Sequence, residues 1–255
     1  MRKIVITPRG YATYGQEHKK QLEQLGFQVI LNDTGEPFSS ETFLNYAKDA
    51  EGIIVGVDTM DEALLRQCPK LKAIVKFGVG TDNIDLEICE ELGIKVGRCL
   101  GTNTNAVAEF AIGLIFNSAR NIADNAQNVK NGNWIKPTGS ELYGKKLGIV
   151  GFGMIGKTVA ERANGLGMKV SVFDVYPILP EELRKYAAIQ EGLDELLSSC
   201  DFITIHVPYL ETTKNLIDQS ALDRMKSNCI LINTARGGIV DEYALFKALK
   251  DGKIA

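Results

Sequence analysis

The sequence is poor in the residues that build metal centres. It holds only two histidines, His18 and His206. None of its five cysteines (Cys68, Cys89, Cys99, Cys200 and Cys229) stands in a CxxC pair. Zinc sites are assembled from such clusters, so no metal site is expected. Scattered cysteines in odd number fit a reducing compartment, where each reads first as a small buried hydrophobe. There is no run of 18 apolar residues, so no membrane span is expected. The apolar run Ile4–Ile6 is too short for a secretion signal and reads as a first strand closing at Pro8. Nor is there an excess of positive charge. Lys and Arg number 29 against 32 Asp and Glu, a net charge of −3. That balance gives no general attraction to nucleic acid or anionic lipid. The expectation is a cytoplasmic protein with no nucleic-acid or membrane partner.

What is present is rhythm. Short β-branched runs (Lys3–Thr7, Phe27–Leu31, Gly52–Val55, Ala73–Val75, Ile94–Val96) alternate with amphipathic stretches such as Gln16–Leu25 and Glu41–Ala50. Such alternation implies a parallel sheet covered on both faces. The rhythm then breaks. One long helical pattern is expected from Thr104 to about Lys130, followed by a polar, glycine-dotted segment from Asn131 to Lys146. Strand signals resume at Leu147–Val150, Lys169–Phe173, Phe202–His206 and Cys229–Ile232. Two α/β blocks are expected, 1–99 and 100–255.

The strand Leu147–Val150 runs into Gly151, Gly153 and Gly156 at GxGxxG spacing, with a helix starting at once. In such a turn Gly151 permits the sharp bend and Gly153 lets the backbone approach a pyrophosphate. Gly156 lets helix and strand pack closely. Met154 and Ile155 lie at the helix N-terminus, where unsatisfied N–H groups and the helix dipole favour an anion. Asp174 ends the next strand about 20 residues on, the spacing of a ribose-binding carboxylate. It would repel a 2′-phosphate, and Val175 and Tyr176 bring no arginine to offset that. NAD is expected rather than NADP.

Four stretches together resemble a known family. They are Phe77–Asp85 (FGVGTDNID), Asn103–Glu109 (NTNAVAE), Gly151–Gly156 through Asp174, and Asn233–Glu242 (NTARGGIVDE). His206-Val207-Pro208 with Thr213 adds to them. The chain resembles the D-2-hydroxyacid dehydrogenases, within them the phosphoglycerate dehydrogenase-like group. Residues 1–76 match only in rhythm. The resemblance implies two doubly wound α/β domains, a flavodoxin-like substrate domain beginning at residues 1–99 and an inserted Rossmann NAD domain, with the active site in the cleft between. It implies hydride transfer between NAD and a small 2-hydroxy or 2-oxo acid, 3-phosphoglycerate being the first candidate, and a homodimer built on the long helix.

The resemblance also implies roles. Arg236 matches the active-site arginine, whose planar fork can hold a carboxylate and a carbonyl oxygen together. Gly78, Val79 and Gly80 match a carboxylate cradle of backbone N–H groups, and Val79 also a position beside the nicotinamide. His206, Val207, Pro208, Thr213, Thr234, Ala235 and Arg236 match positions that line the cofactor. Arg9 could pair with a substrate phosphate, although a solvated arginine is the plainer reading. His18 reads as a surface residue, and Glu109 as structural. The glutamate and the proton-carrying histidine of the family fall beyond Ala255, so the expectation is a longer native protein that supplies both, together with the last strands and a return segment. The alternative is a catalytically silent NAD(H)-binding regulatory module, if the chain naturally ends at 255.

Overall fold

The computed structural model describes residues 2–255, which divide into two compact units, 2–102 and 103–255.

In the first unit the chain runs β1 (Arg2–Ile6), α1 (Arg9–Tyr14), α2 (Gln16–Gln24), β2 (Phe27–Leu31) and α3 (Ser40–Ala47). It continues through β3 (Gly52–Val55), α4 (Glu62–Leu65), β4 (Ala73–Lys76), α5 (Leu86–Glu91) and β5 (Lys95–Arg98). The sheet is wholly parallel, in the order β2-β1-β3-β4-β5. This is the flavodoxin-type order, which reverses direction between β1 and β3. Short polar residues start the helices. The Ser39, Asp61 and Asp85 side chains accept from the backbone N–H three residues on, satisfying groups that a helix leaves open. Val5, Ile53, Val55 and Ile74 pack with Phe43, Ala47, Leu65 and Cys89 into one core.

The second unit opens with α6 (Thr104–Arg120) and α7 (Ile122–Lys130), and its sheet begins at β6 (Lys146–Val150). Then follow α8 (Met154–Gly165), β7 (Lys169–Phe173), α9 (Pro180–Lys185), β8 (Ala188–Gln190), α10 (Leu193–Ser199) and β9 (Phe202–Ile205). The chain closes with α11 (Gln219–Arg224), β10 (Ile230–Asn233) and α12 (Glu242–Lys250). The order β10-β9-β6-β7-β8 is again parallel throughout. It is the Rossmann order, reversing between β6 and β9. Each face is covered. Leu147 and Ile149 pack with α6 and α8, while Val150, Ile203 and Ile205 pack with α10 to α12. The alternation along β6 is the period of two that a strand buried on both faces must show.

One expectation is corrected. The single helix from Thr104 to Lys130 is two helices, broken at Asn121, whose φ of 53° is left-handed. Asparagine tolerates that conformation better than other side-chain-bearing residues. The Asn117 carboxamide oxygen then accepts from Ala123 N at 2.9 Å and starts the second helix. β8 lies outside the expected strands; with three residues, only Ala188 of them buried, it leaves almost no periodic signal. No helix among the described residues is long and apolar enough to cross a membrane.

Candidate cofactor and substrate sites

In the second unit, four loops leave the carboxyl edges of adjacent strands. After β6 comes the glycine turn. Gly151 has φ +98°, and a Cβ there would lie 2.8 Å from the His206 carbonyl carbon. The turn is therefore pressed against the loop after β9, where the strand order reverses. At Gly156 a Cβ would stand 2.1 Å from Gly151 O, so helix α8 can approach β6 only because this side chain is missing. Gly153 is different. A Cβ there would meet nothing within 4 Å, and its φ of −74° suits any residue. Its glycine is required by nothing in the protein itself, and the open space before it is room for a ligand. The N–H groups of Gly153, Met154 and Ile155 find no acceptor among the described residues. Met154 is exposed at this rim, and Ile155 is half-buried.

Asp174 follows β7. Its Oδ2 accepts from Phe152 N at 2.7 Å and its Oδ1 from Tyr176 N at 3.0 Å. The carboxylate is thereby fixed beside the glycine turn, with lone pairs left for hydroxyl donors. After β9, the His206 Nε2 lies 3.0 Å from Thr204 Oγ1, and burial pulls the imidazole pKa down to about 4. His206 is thus neutral at physiological pH. Thr213 is spent on its own loop: its hydroxyl donates to Pro208 O at 2.7 Å and accepts from Leu210 N at 2.8 Å. It shapes the Val207–Pro208 segment from behind.

After β10, the Asn233 side chain closes a turn by accepting from Ala235 N at 3.0 Å and donating to Arg236 O at 2.8 Å. Arg236 is exposed at the tip, with Nη1 donating to Ala235 O at 2.9 Å. Thr234 Oγ1 is buried and has no hydrogen-bond partner among the described residues. A buried hydroxyl left so is costly unless a ligand completes it. The sequence pointed to Thr234 only through the family resemblance; its orphaned hydroxyl has no signature in the residue string.

In the first unit, Gly78, Val79 and Gly80 follow β4. Gly78 has φ +146° and donates its N–H to Lys76 O at 2.9 Å. The N–H groups of Val79 and Gly80 have no acceptor among the described residues. Arg9 is exposed and donates to Gly35 O at 3.0 Å, so the guess of a phosphate partner gains no support. His18 is exposed on α2. In the second unit, Glu109 is an exposed partner of Arg162 at 3.3 Å. Among the described residues no group of three His, Cys, Asp or Glu could hold a metal.

The second unit thus carries the layout of a Rossmann dinucleotide site, with a fixed carboxylate beside its glycine turn. Residues 112–255 match the family described as D-isomer specific 2-hydroxyacid dehydrogenase, NAD binding domain. A D-3-phosphoglycerate dehydrogenase of Methanocaldococcus jannaschii is 38% identical over 235 residues, covering 88% of this chain and 44% of that protein. A glyoxylate reductase of Korarchaeum cryptofilum is 36% identical, over 90% of this chain and 71% of its own length. Among solved structures, a D-lactate dehydrogenase from Aquifex aeolicus complexed with NAD and lactic acid is similar with a TM-score of 0.84 and 32% identity, over 99% of this chain and 74% of its own. The chain belongs to the D-isomer specific 2-hydroxyacid dehydrogenase family, and its cofactor is NAD. It spans less than half the length of the phosphoglycerate dehydrogenase it matches.

The site fits that cofactor. The open space before Gly153, the free N–H groups beside it, the fixed Asp174 carboxylate and the unpartnered Thr234 hydroxyl are each what a dinucleotide would complete.

Proposed function

We propose that this protein catalyses reversible hydride transfer between NAD and a small 2-hydroxy/2-oxo acid. The observation that carries this reading is the shared carboxyl edge in the second unit, where the glycine turn, Asp174, the His206–Pro208 loop and Arg236 leave adjacent strands. Bound NAD supplies or accepts the hydride. The chain's own residues hold and polarise the substrate. The Arg236 guanidinium spans carboxylate and carbonyl oxygen, stabilising the charge that grows on that oxygen. In the first unit, the Val79 and Gly80 N–H groups are donors available to an anion. Gly153, Met154 and Ile155 take the pyrophosphate, Asp174 the adenosine ribose, and His206, Val207, Pro208, Thr234 and Ala235 line the remainder, with Thr213 shaping their loop.

His206 does not carry the proton. Held neutral down to about pH 4, it is a poor acid at neutral pH. The family resemblance assigns that step to a separate Glu–His pair, of which His206 is no part.

The substrate panel starts with the 3-phosphoglycerate couple, followed by glyoxylate, hydroxypyruvate and pyruvate, with NADH oxidation read at 340 nm. Turnover of at least one oxo acid is expected. Tight NADH binding without turnover of any would select the silent regulatory module instead. We further propose a homodimer. Phe110, Ile122, Val129 and Trp134 are exposed on and after α6 and α7, apolar surface that a monomer seldom leaves open. A monomer mass by sedimentation would remove that part of the reading.

A further inference from the structure

Lys76 ends β4 with only 8% of its surface exposed. Lysine is almost never buried without a built environment, because desolvating the ammonium is expensive. Here the environment is built. The ammonium donates to Gly56 O at 2.6 Å and to the Asn83 carboxamide oxygen. Asn83 is itself locked: its Nδ2 donates to Asp58 O and to Gly56 O, and its main-chain oxygen accepts from Met60 N at 2.8 Å. The carboxylate of Asp58 accepts from the Thr7 hydroxyl. The bracket therefore joins the loops after β3 and β4.

Its position gives it a use. Gly78 hydrogen-bonds to Lys76 O, and a Cβ on Gly78 would lie 3.7 Å from Lys76 Cε. The lysine stem runs alongside the turn whose next two N–H groups are free. Free N–H donors and a fixed, desolvated cation lie together at one turn, and low local dielectric strengthens the cation's pull on an anion.

We propose that Lys76 is a positioning residue of the Gly78–Gly80 turn, whose buried charge makes that turn select a carboxylate over a neutral group of the same shape. The inference rests on the reading of this turn as the carboxylate cradle. It differs from the role of Arg236, which lies in the other unit.

The test uses the full-length enzyme with pyruvate and its neutral amide, pyruvamide, as paired substrates, or another acid and amide pair if the panel favours one. The readout is the acid-to-amide ratio of kcat/KM, in which any inactive fraction cancels. The wild type favours the acid. K76M is expected to lower the ratio about 10- to 100-fold, through the KM of the acid. K76R, which keeps the charge, restores most of it. K76Q, which can still donate to Gly56 O, is the second neutral variant should K76M fold poorly, and it is expected to lose the ratio likewise. An unchanged ratio in active K76M or K76Q overturns this inference and leaves the proposed function standing. A wild type that turns over neither acid nor amide overturns both.

Discussion

The two sheets treat their reversal points in opposite ways. In the second unit, the gap between β6 and β9 is kept open. Gly151 and the His206 backbone meet at its floor, and the N–H groups at the start of α8 find no acceptor among the described residues. In the first unit, the corresponding gap between β1 and β3 is filled by the protein itself. Thr7, 3% exposed, donates to Asp58 and accepts from Gly56 N at 3.0 Å, and a Cβ on Gly56 would sit 3.4 Å from Pro8. The general rule for open α/β sheets places ligands at such crevices. The second unit's candidate cofactor site follows it; the first unit's candidate cradle lies one strand over, at β4. The sites also differ in what makes them. One is a helix N-terminus with missing side chains, and the other is a turn backed by a buried lysine.

The comparison is broken hardest at Gly156. G156A forces a methyl group against Gly151 O, which lies 2.1 Å from the new atom. The strand or helix must move, at a cost of about 3 kcal/mol. G153A meets nothing within 4 Å and is expected to leave the melting temperature within a degree or two of the wild type, yet to weaken NADH binding strongly. Thermal melts beside NADH fluorescence titrations would separate the two glycines. Equal destabilisation by both would mean that Gly153 serves the fold rather than the ligand.

T7V tests the other crevice. It strands the Gly56 N–H and removes the hydroxyl donated to Asp58, so a loss of about 1–3 kcal/mol is expected in urea unfolding. NADH affinity should not change, because no residue of the proposed NAD pocket in the second unit is touched. A loss of NADH binding matching the loss of stability would show that the crevices are not independent. D174S acts the opposite way. It is expected to weaken NADH about 10-fold and to narrow the gap to NADPH, by removing a charge that repels the 2′-phosphate. Isothermal titration with both cofactors reads this directly; an unchanged NADH-to-NADPH affinity ratio would leave Asp174 as a loop brace for Phe152 and Tyr176 only.

The same contrast explains what was legible in the sequence. The glycine turn and Asp174 could be read because each residue type has one reason to be there at fixed spacing along a single βαβ unit. β6, β7 and β9 announce themselves as short runs rich in β-branched and aromatic residues, with only Ser171 and Thr204 as polar residues in their interiors. The break at Asn121 was not legible, since a helical periodicity of small residues runs through it and only the backbone records the left-handed φ. Lys76 gave no signal either. A lysine at a strand end reads as solvated, and its burial depends on Asn83 and Gly56, which come from other loops. The resemblance put Thr213 in an expected cofactor-lining stretch, but its hydroxyl's commitment to Pro208 O left no trace in the sequence.

A pH-dependent effect separates cofactor chemistry from proton chemistry. Unfolded, His206 binds a proton near its ordinary value of 6.5; folded, burial delays that until about pH 4. Between these values the unfolded state holds more protons, so stability falls as pH drops from 6.5 towards 4 and regains it as pH rises. H206N, neutral at every pH, should lose that part of the slope while keeping a polar ring substitute near Thr204. Urea midpoints at pH 7, 6 and 5 for both proteins measure it. A slope identical in H206N would mean that His206 does not resist protonation in the fold. The exclusion of this histidine from proton transfer would then lose its physical basis, and the second unit would hold a titratable acid beside its cofactor site that the first unit, whose His18 lies exposed on α2, does not match.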